Sequence, residues 1–332
     1  PPPPPPPPPP PFFFQAEYGI RDSVAARGLG DVYKRQIEYT LFSSKSSQKQ
    51  LMANKIKIKP YTGALGAEIL GIDLSKKLSK KHFNLIKNTL NEYHVVFFRE
   101  QDINPTQLVK FGQNFGKLET HPLIPTLKDF PEIIELKSAD DGPGPYARNS
   151  RIWHSDMTYT KIPPMGAILK AETIPEAGGN TMFLNASLAY NQLSKKMKTF
   201  LSKLKAVHSI VMTNTKDEIL SENGLLRFAK MQKALPPVEH PLIRTHPETG
   251  KKCIYVNEAF TSHIIGLNRN ESDSILNFIY KHLHNPDFQC RFIWEKNSIA
   301  FWDNRITQHF AVGDYNTKRT MHRLTIEGTK PN

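Results

Sequence analysis

The sequence has 332 residues, 39% hydrophobic and 23% charged, with a formal net charge of +13. That is enough chain to bury a sizeable core, and no run approaches the ~18 apolar residues of a membrane span. Two cysteines, Cys253 and Cys290, exclude a disulfide framework and fit a reducing, cytoplasmic setting.

Residues 1–11 are all proline, and FFFQAEYGIRDSVAARGLGDVYKRQ follows. Polyproline forms an extended helix without a core. The stretch after it resembles translated sequencing-adapter sequence. Residues 1–51 are therefore expected to be a foreign, disordered segment outside the fold. Phe12 to Phe14 is too short for the apolar region of a signal peptide. The native chain is expected to begin near Met52, with a single domain over 52–332.

After Ile56, KIKPYTGALGAEILGIDLS alternates short apolar runs with glycine, which predicts strand and turn. In SKKHFNLIKNTLNEY (79–93), Phe83, Ile86, Leu90 and Tyr93 recur at helical spacing. HVVFFRE (94–100) is a buried strand by its β-branched and aromatic content. DINPTQLVKFGQNFG (102–116) predicts a helix capped by Asn104, with proline at its first position and glycine at its close. SADDGPGPYARNS (138–150) is rich in turn formers and reads as a loop that shapes or gates a site. NASLAYNQLSKKMKTFLSKL (185–204) predicts one helix, and CIYVN, RFIWEKNSIAFWDN and RTMHRLTIEG are strand candidates. No internal repeat interrupts this pattern. Strands on both sides of a few helices predict a β-rich sandwich or barrel core with helical flanks.

The positive charge admits nucleic acid or anionic lipid as partners. The lysines, however, are scattered through helix-like segments such as 79–87 and 194–203. They read as solvated helix faces, and no nucleic-acid or membrane partner is expected. A positive field also draws in small anionic substrates.

Chemistry concentrates in WHSDMTY (153–159). Taken as a strand, RIWHSDMTY puts His154, Asp156 and Thr158 on one face, with Trp153, Ser155, Met157 and Tyr159 on the other. A histidine and a carboxylate two apart on one face can chelate a metal ion, but the pattern alone is more often plain hydrogen bonding. His309, in FWDNRITQHFAVGDY, supplies a third donor. Two histidines and one carboxylate form the facial set of non-haem Fe(II) oxygenases, although zinc accepts similar ligands for hydrolysis. Arg319 and Arg323 are four apart on a strand candidate and share a face, so two anions are expected near His309. Ser155 lies on the opposite face and lacks a nucleophile elbow, which argues against a hydrolytic triad.

On these residues the chain resembles the taurine dioxygenase (TauD/TfdA) family of Fe(II)- and 2-oxoglutarate-dependent dioxygenases, from about Ile56 to the C-terminus. The resemblance rests on WHSDMTYTKIPPMGAILKAETIPEAGGNT (153–181), HPLIRTHPETGKKCIYVNEAFT (240–261) and IAFWDNRITQHFAVGDYNTKRTMHRLTI (299–326). It implies a double-stranded β-helix (jelly-roll) core with helical insertions. His154, Asp156 and His309 look like the iron ligands. Thr181 and Arg319 look like the residues that hold 2-oxoglutarate. Arg323 and His121 look like the grip on the substrate's anionic group, with Phe260 and Tyr159 as walls. The taurine-specific enzymes carry a tyrosine where this chain has Ile124. They also carry an asparagine four positions before the first iron ligand, where Ser150 stands here beside Asn149.

The resemblance implies hydroxylation of a small, taurine-like organosulfonate at the carbon bearing sulfur, releasing sulfite and an aldehyde. Succinate and carbon dioxide form from 2-oxoglutarate and O2. The alternatives are the same chemistry on an alkyl sulfate ester or an aryloxyacetate-type carboxylate. A homo-oligomer is expected by the same resemblance. His208, His240, His246, His263, His282, His284 and His322 lie outside the motifs and are expected to be structural.

Overall fold

Capped helices and short apolar strands alternate along the chain, much as the periodicity predicts. The computed structural model describes residues 56–332 apart from 121–123, 125, 140–141, 144–149 and 214–223, all within a unit running from Lys55 to Asn332. The expectations for residues 1–51, for His121 and Asn149, and for most of the 138–150 loop lie outside the described residues.

Strands β1 (Lys57–Pro60) and β2 (Ala67–Leu70) come first. Helix α1 (Lys80–Tyr93) starts on Ser79, whose hydroxyl accepts from the His82 N–H, and it buries Ile86 and Leu90. It ends where His94 enters the left-handed region, and β3 (Val95–Phe98) follows, buried throughout. Helix α2 (Pro105–Gln113) opens on the predicted Asn104 cap, and the structure adds Gln107, whose side chain caps the Asn104 backbone in return. Next come β4 (Thr126–Leu127), β5 (Phe130–Lys137), β6 (Gly166–Thr173) and β7 (Thr181–Asn185).

The single helix expected over 185–204 is instead two, α3 (Ala186–Gln192) and α4 (Lys195–Leu201). Leu193 is extended, and the Ser194 hydroxyl accepts from the Met197 N–H. A side-chain cap satisfies a first-turn donor, so restarting the helix costs little more than continuing it. Beyond lie β8 (Lys205–His208), α5 (Gly224–Ala234), β9 (Val238–Pro241), β10 (Ile243–Thr245), β11 (Lys252–Ile254) and β12 (Thr261–Ile264). Helix α6 (Arg269–Leu283), β13 (Gln289–Phe292), β14 (Ile299–Asp303), β15 (Thr307–Ala311) and β16 (Thr320–Ile326) complete the order. RFIWEKNSIAFWDN is therefore two strands, in different sheets.

The large sheet runs β1-β2-β3-β14-β6-β16-β5-β4, and a smaller one runs β13-β7-β15. Phe97, Leu169, Trp302 and Met321 of the large sheet meet Phe183 and Phe292 of the small one. The Phe97 and Phe292 rings stack at 4.0 Å. The other face of the large sheet is covered by α1 and α2, with Ile168, Phe301 and Leu324 against Ile86, Leu90, Leu108 and Phe111. Behind the small sheet, Leu184 packs with Ala189 of α3 and with Leu276 and Ile279 of α6. This is the jelly-roll core with helical additions that the sequence led us to expect. Among the described residues no helix is long and apolar enough to cross a membrane.

Two buried histidines set an acid limit on this packing. Burial pushes His208 down to about 3, with His240 adding to the effect. Burial and the charge of Lys251 push His94 down to about 4. In the unfolded chain both bind a proton near pH 6.5. The unfolded state thus holds more protons between about pH 6.5 and 4, so stability falls as pH falls through that window. The slope is expected to reach about 1.4 kcal/mol per pH unit for each histidine. Urea midpoints at several pH values check this, and His208→Gln flattens the dependence.

Candidate metal centre and active site

His309 lies in the middle of β15 and faces the opposite sheet, its ring 4.8 Å from that of Trp302 on β14. One antiparallel bridge joins it to His154, with N–H to O distances of 3.2 and 2.8 Å. Regular pairing stops there. The strand expected over RIWHSDMTY is corrected by the structure: Asp156 to Tyr159 form a turn, and Met157 has φ of 50°. A left-handed non-glycine residue is costly and persists only where its surroundings impose it. Asn304 imposes it here. Its Oδ1 accepts from the Asp156 N–H at 2.6 Å, and its Nδ2 donates to the Asp156 carbonyl at 2.9 Å.

The turn undoes the expected alternation. Met157 and Tyr159 line the same cavity as His154 and Asp156. Thr158 turns away, and its hydroxyl bonds with His208 and Asn257. Ser155 donates its hydroxyl to the Thr307 carbonyl at 2.7 Å, which commits it structurally.

Three donor atoms converge. Asp156 Oδ1 is 3.8 Å from His154 Nε2 and 3.6 Å from His309 Nε2. Among the described residues this is the one group of three such side chains with ligand atoms all within 4.8 Å of one another. His154 Nδ1 is 2.7 Å from the Ile152 carbonyl. A carbonyl only accepts, so Nδ1 carries the proton and Nε2 presents its lone pair to the cluster. Burial keeps both imidazoles neutral, pushing His309 down to about 3 and His154 in the same direction. Ligation requires that neutral form. Burial opposes the charge of Asp156, yet the Arg323 guanidinium holds it well below the usual carboxylate range. Arg323 Nη2 lies 2.6 Å from Asp156 Oδ2, which leaves Oδ1 to the histidines.

Thr181 opens β7 on the same cavity. The turn before it needs glycine: Gly178 has φ of 82°, and a Cβ there would lie 2.3 Å from the Asp314 carbonyl oxygen. Thr181 Oγ1 accepts from Trp294 Nε1 at 3.0 Å. With that acceptor position engaged, the hydroxyl proton is free to donate into the cavity. Arg319 lies just before β16 and is 9% exposed. Its Nε has no hydrogen-bond partner, and burial lowers its pKa. A buried guanidinium with no carboxylate beside it among the described residues fits an anionic ligand.

Arg319 and Arg323 do reach one cavity, although the pairing slips between Thr320 and Met321. The cavity measures about 910 Å³ and also takes in Phe260, Ile124 and Ser150. The Phe260 ring meets Tyr159 edge-on at 4.9 Å and His154 edge-on at 6.0 Å. Trp302 supports the Arg323 guanidinium at 5.7 Å from its ring centre. His322 points away, 2.9 Å from Glu172.

The remaining histidines make structural contacts. His246 Nε2 is 2.9 Å from Asp303, His282 Nε2 is 2.8 Å from the Ala189 carbonyl, and His240 Nε2 is 3.0 Å from that of Thr160. His284 stacks on Trp153, and His263 is exposed beside Ser262.

Sequence reasoning missed Asn304, Trp302 and Trp294. The first two stood in the FWDNR run, where an asparagine ending an apolar strand is a turn signal. Trp294 is 113 residues from Thr181, and no local pattern links them.

The chain matches the family described as "Taurine catabolism dioxygenase TauD, TfdA family" over residues 57–325. It is 34% identical to an alkylsulfatase of Acinetobacter baylyi, covering 82% of this chain and 86% of that one. It is 34% identical to an alpha-ketoglutarate-dependent sulfonate dioxygenase of Saccharomyces cerevisiae, over 83% of this chain and 68% of the yeast one. The solved structure of a taurine dioxygenase from Burkholderia xenovorans superposes with a TM-score of 0.71 at 35% identity, covering 83% of this chain and 90% of that one. The chain therefore belongs to the TauD/TfdA family of 2-oxoglutarate-dependent dioxygenases.

Proposed function

We propose that the chain uses Fe(II), 2-oxoglutarate and O2 to hydroxylate an organic sulfonate or sulfate ester at the carbon nearest its anionic group. The sulfonate product collapses to an aldehyde and sulfite, and the ester to an aldehyde and sulfate. The observation that carries this reading is the Arg323 guanidinium beside the three donor atoms, 2.6 Å from Asp156. A fixed cation there binds an anionic head and sets the neighbouring C–H next to the centre.

The residues fit the groups this requires. Two neutral imidazoles and one carboxylate, His154, His309 and Asp156, suit Fe(II) and leave positions for other ligands. Thr181 and Arg319 suit a dicarboxylic 2-oxo acid, the first as hydroxyl donor and the second as a planar fork. When bound, iron with 2-oxoglutarate supplies the oxidation, in which O2 gives succinate, carbon dioxide and one hydroxyl on the substrate carbon. Arg323 orients the substrate. Phe260 and Tyr159 wall the reacting carbon from water.

Trp294 holds the Thr181 hydroxyl in its donating orientation. Trp294→Phe is expected to weaken 2-oxoglutarate binding roughly three- to tenfold, the worth of one neutral hydrogen bond. Calorimetry on Mn(II)-loaded protein checks it. Unchanged affinity would remove Trp294 from the cosubstrate site.

The function itself is tested by admitting oxygen to the chain loaded with Fe(II) and 2-oxoglutarate, alongside sulfonates, sulfate esters and aryloxyacetates. Succinate and sulfite are measured. Succinate formed only with a sulfur anion present is the expected result. No substrate-dependent succinate from any compound rejects the oxygenase reading. Succinate from aryloxyacetates alone moves the substrate to a carboxylate.

A further inference from the structure

We propose, resting on the function proposed above, that Asn257 and Thr158 are a positioning pair. One hydrogen bond between them sets the gap between the Phe260 wall and the turn that carries Asp156, and so which substrate C–H faces the centre. Both lie behind the wall, Asn257 at 1% and Thr158 at 0% exposure. Two turns make this side of the cavity. The first, at 156–159, carries Asp156, Met157 and Tyr159. The second lies between β11 and β12 and carries Phe260. On the cavity side the turns meet through rings, with Phe260 edge-on to Tyr159 and to His154. Such ring pairs tolerate centroid separations from about 4.5 to 7 Å, so they leave the spacing loose. Behind the rings, Asn257 Nδ2 donates to Thr158 Oγ1 at 3.1 Å, across 99 residues of chain. A hydrogen bond of this kind tolerates only about 0.5 Å of spread, so it fixes the gap more tightly than the rings do.

The same carboxamide holds the wall. Its Oδ1 accepts from the Phe260 N–H at 3.0 Å. A backbone N–H only donates, which fixes the amide orientation and turns Nδ2 to Thr158. The Phe260 carbonyl accepts from the Ser209 N–H at 2.8 Å, and the Asn257 carbonyl accepts from the Thr261 N–H at 3.1 Å and the Tyr280 hydroxyl at 3.2 Å. The second turn is thereby tied to the end of β8 and to α6. On the other side, the Thr158 hydroxyl meets His208 Nδ1 at 3.0 Å. Thr158 stands two residues past Asp156, whose backbone Asn304 clamps. The pair therefore joins a fixed metal ligand to a fixed wall. Without the Thr158 hydroxyl, a buried Asn257 N–H is left unpaired, and the wall gains by shifting to pair it. A misplacement on the order of 1 Å at the reacting carbon costs about 100-fold in rate.

Thr158→Val tests this, because it keeps the shape of the side chain and removes the hydroxyl. Taurine, hexyl sulfate and phenoxyacetate are the probes, titrated calorimetrically into the full chain loaded with Mn(II) and 2-oxoglutarate. Probe Kd is expected to rise roughly three- to tenfold, while Mn(II) and 2-oxoglutarate affinities stay within about twofold. With Fe(II) and oxygen, succinate formed per probe oxidised is expected to rise at least about threefold, because the misplaced C–H is missed. Thr158→Ser, which keeps the hydroxyl, is expected to restore both readouts to within about twofold. Asn257→Ala is expected to show the same two losses, and adding Thr158→Val to it changes them by less than about twofold, since the two act through one bond. Should Thr158→Val fail to fold by circular dichroism, Asn257→Ala and Thr158→Ser decide the matter on the same readouts. Unchanged probe Kd and succinate ratio in the folded variants overturn the proposal. So do losses that multiply in the double variant, or an equal loss of Mn(II) affinity, which would make the bond a prop of the metal turn alone. Wild-type protein that binds none of the probes and forms no succinate with any of them strikes down the function proposed above together with this role.

Discussion

His154→Ala is expected to lose at least about 100-fold in Co(II) or Fe(II) affinity, and with it all measurable turnover. Even residues that only orient metal ligands cost 10- to 100-fold when changed. The variant removes one of three donor atoms that lie within 4.8 Å of one another. It also removes the ring whose Nδ1–H is anchored on the Ile152 carbonyl. The backbone bridge to His309 runs through main-chain atoms and survives the change, so the fold is expected to persist. Metal titration by calorimetry measures the effect, with circular dichroism as the check on folding. Arg319→Ala serves as the contrast: it is expected to keep metal affinity and to lose 2-oxoglutarate. Unchanged metal binding in His154→Ala would withdraw the ligand assignment.

Arg305→Met is expected to destabilise the protein by about 3–5 kcal/mol, because it breaks a buried ion pair from one side. Arg305 binds Asp303 through Nε at 2.8 Å and Nη2 at 2.5 Å, and reaches Glu248 through Nη1 at 2.8 Å. Lys87 and His246 complete the network, at 2.8 Å from Glu248 and 2.9 Å from Asp303. Asp303 is fully buried, so without the Arg305 side chain its charge keeps His246 and the backbone N–H of residue 305, and loses its guanidinium partner. Burial raises its pKa, and Arg305 is the main influence that holds the carboxyl well below its usual range. A fall in Tm of roughly 10 °C follows from this cost. The change is also expected to weaken metal binding. Asp303 leads into Asn304, which holds the Asp156 turn. A loss of less than about 1 kcal/mol in urea unfolding would show that the network is not needed for stability.

The elements legible in the sequence were those written in local chemistry. Helix α1 declared itself through Ile86 and Leu90 at helical spacing, and α2 through the Asn104 cap followed by proline. β3 was legible because four consecutive β-branched and aromatic residues suit a strand buried on both faces. The break at Leu193–Ser194 was not, because the apolar pattern continues across it and only the Ser194 cap distinguishes two helices from one. The donor set was legible in kind. The residues of WHSDMTY and the histidine of TQHF are the right types for one metal.

What the sequence by itself determined is therefore the inventory: two imidazoles, one carboxylate, two arginines and a threonine on a β-rich chain. The tertiary structure decided how they meet. Strand alternation would have sent Tyr159 and Met157 away from Asp156. Asn304, 148 residues later in the chain, clamps the turn that brings them all to one cavity. Trp294 sets the direction of the Thr181 hydroxyl from 113 residues away. The physical reason is the same in each case. Ligand types follow from side-chain chemistry, which is local. Ligand direction and cavity volume follow from hydrogen bonds and packing between segments far apart in sequence.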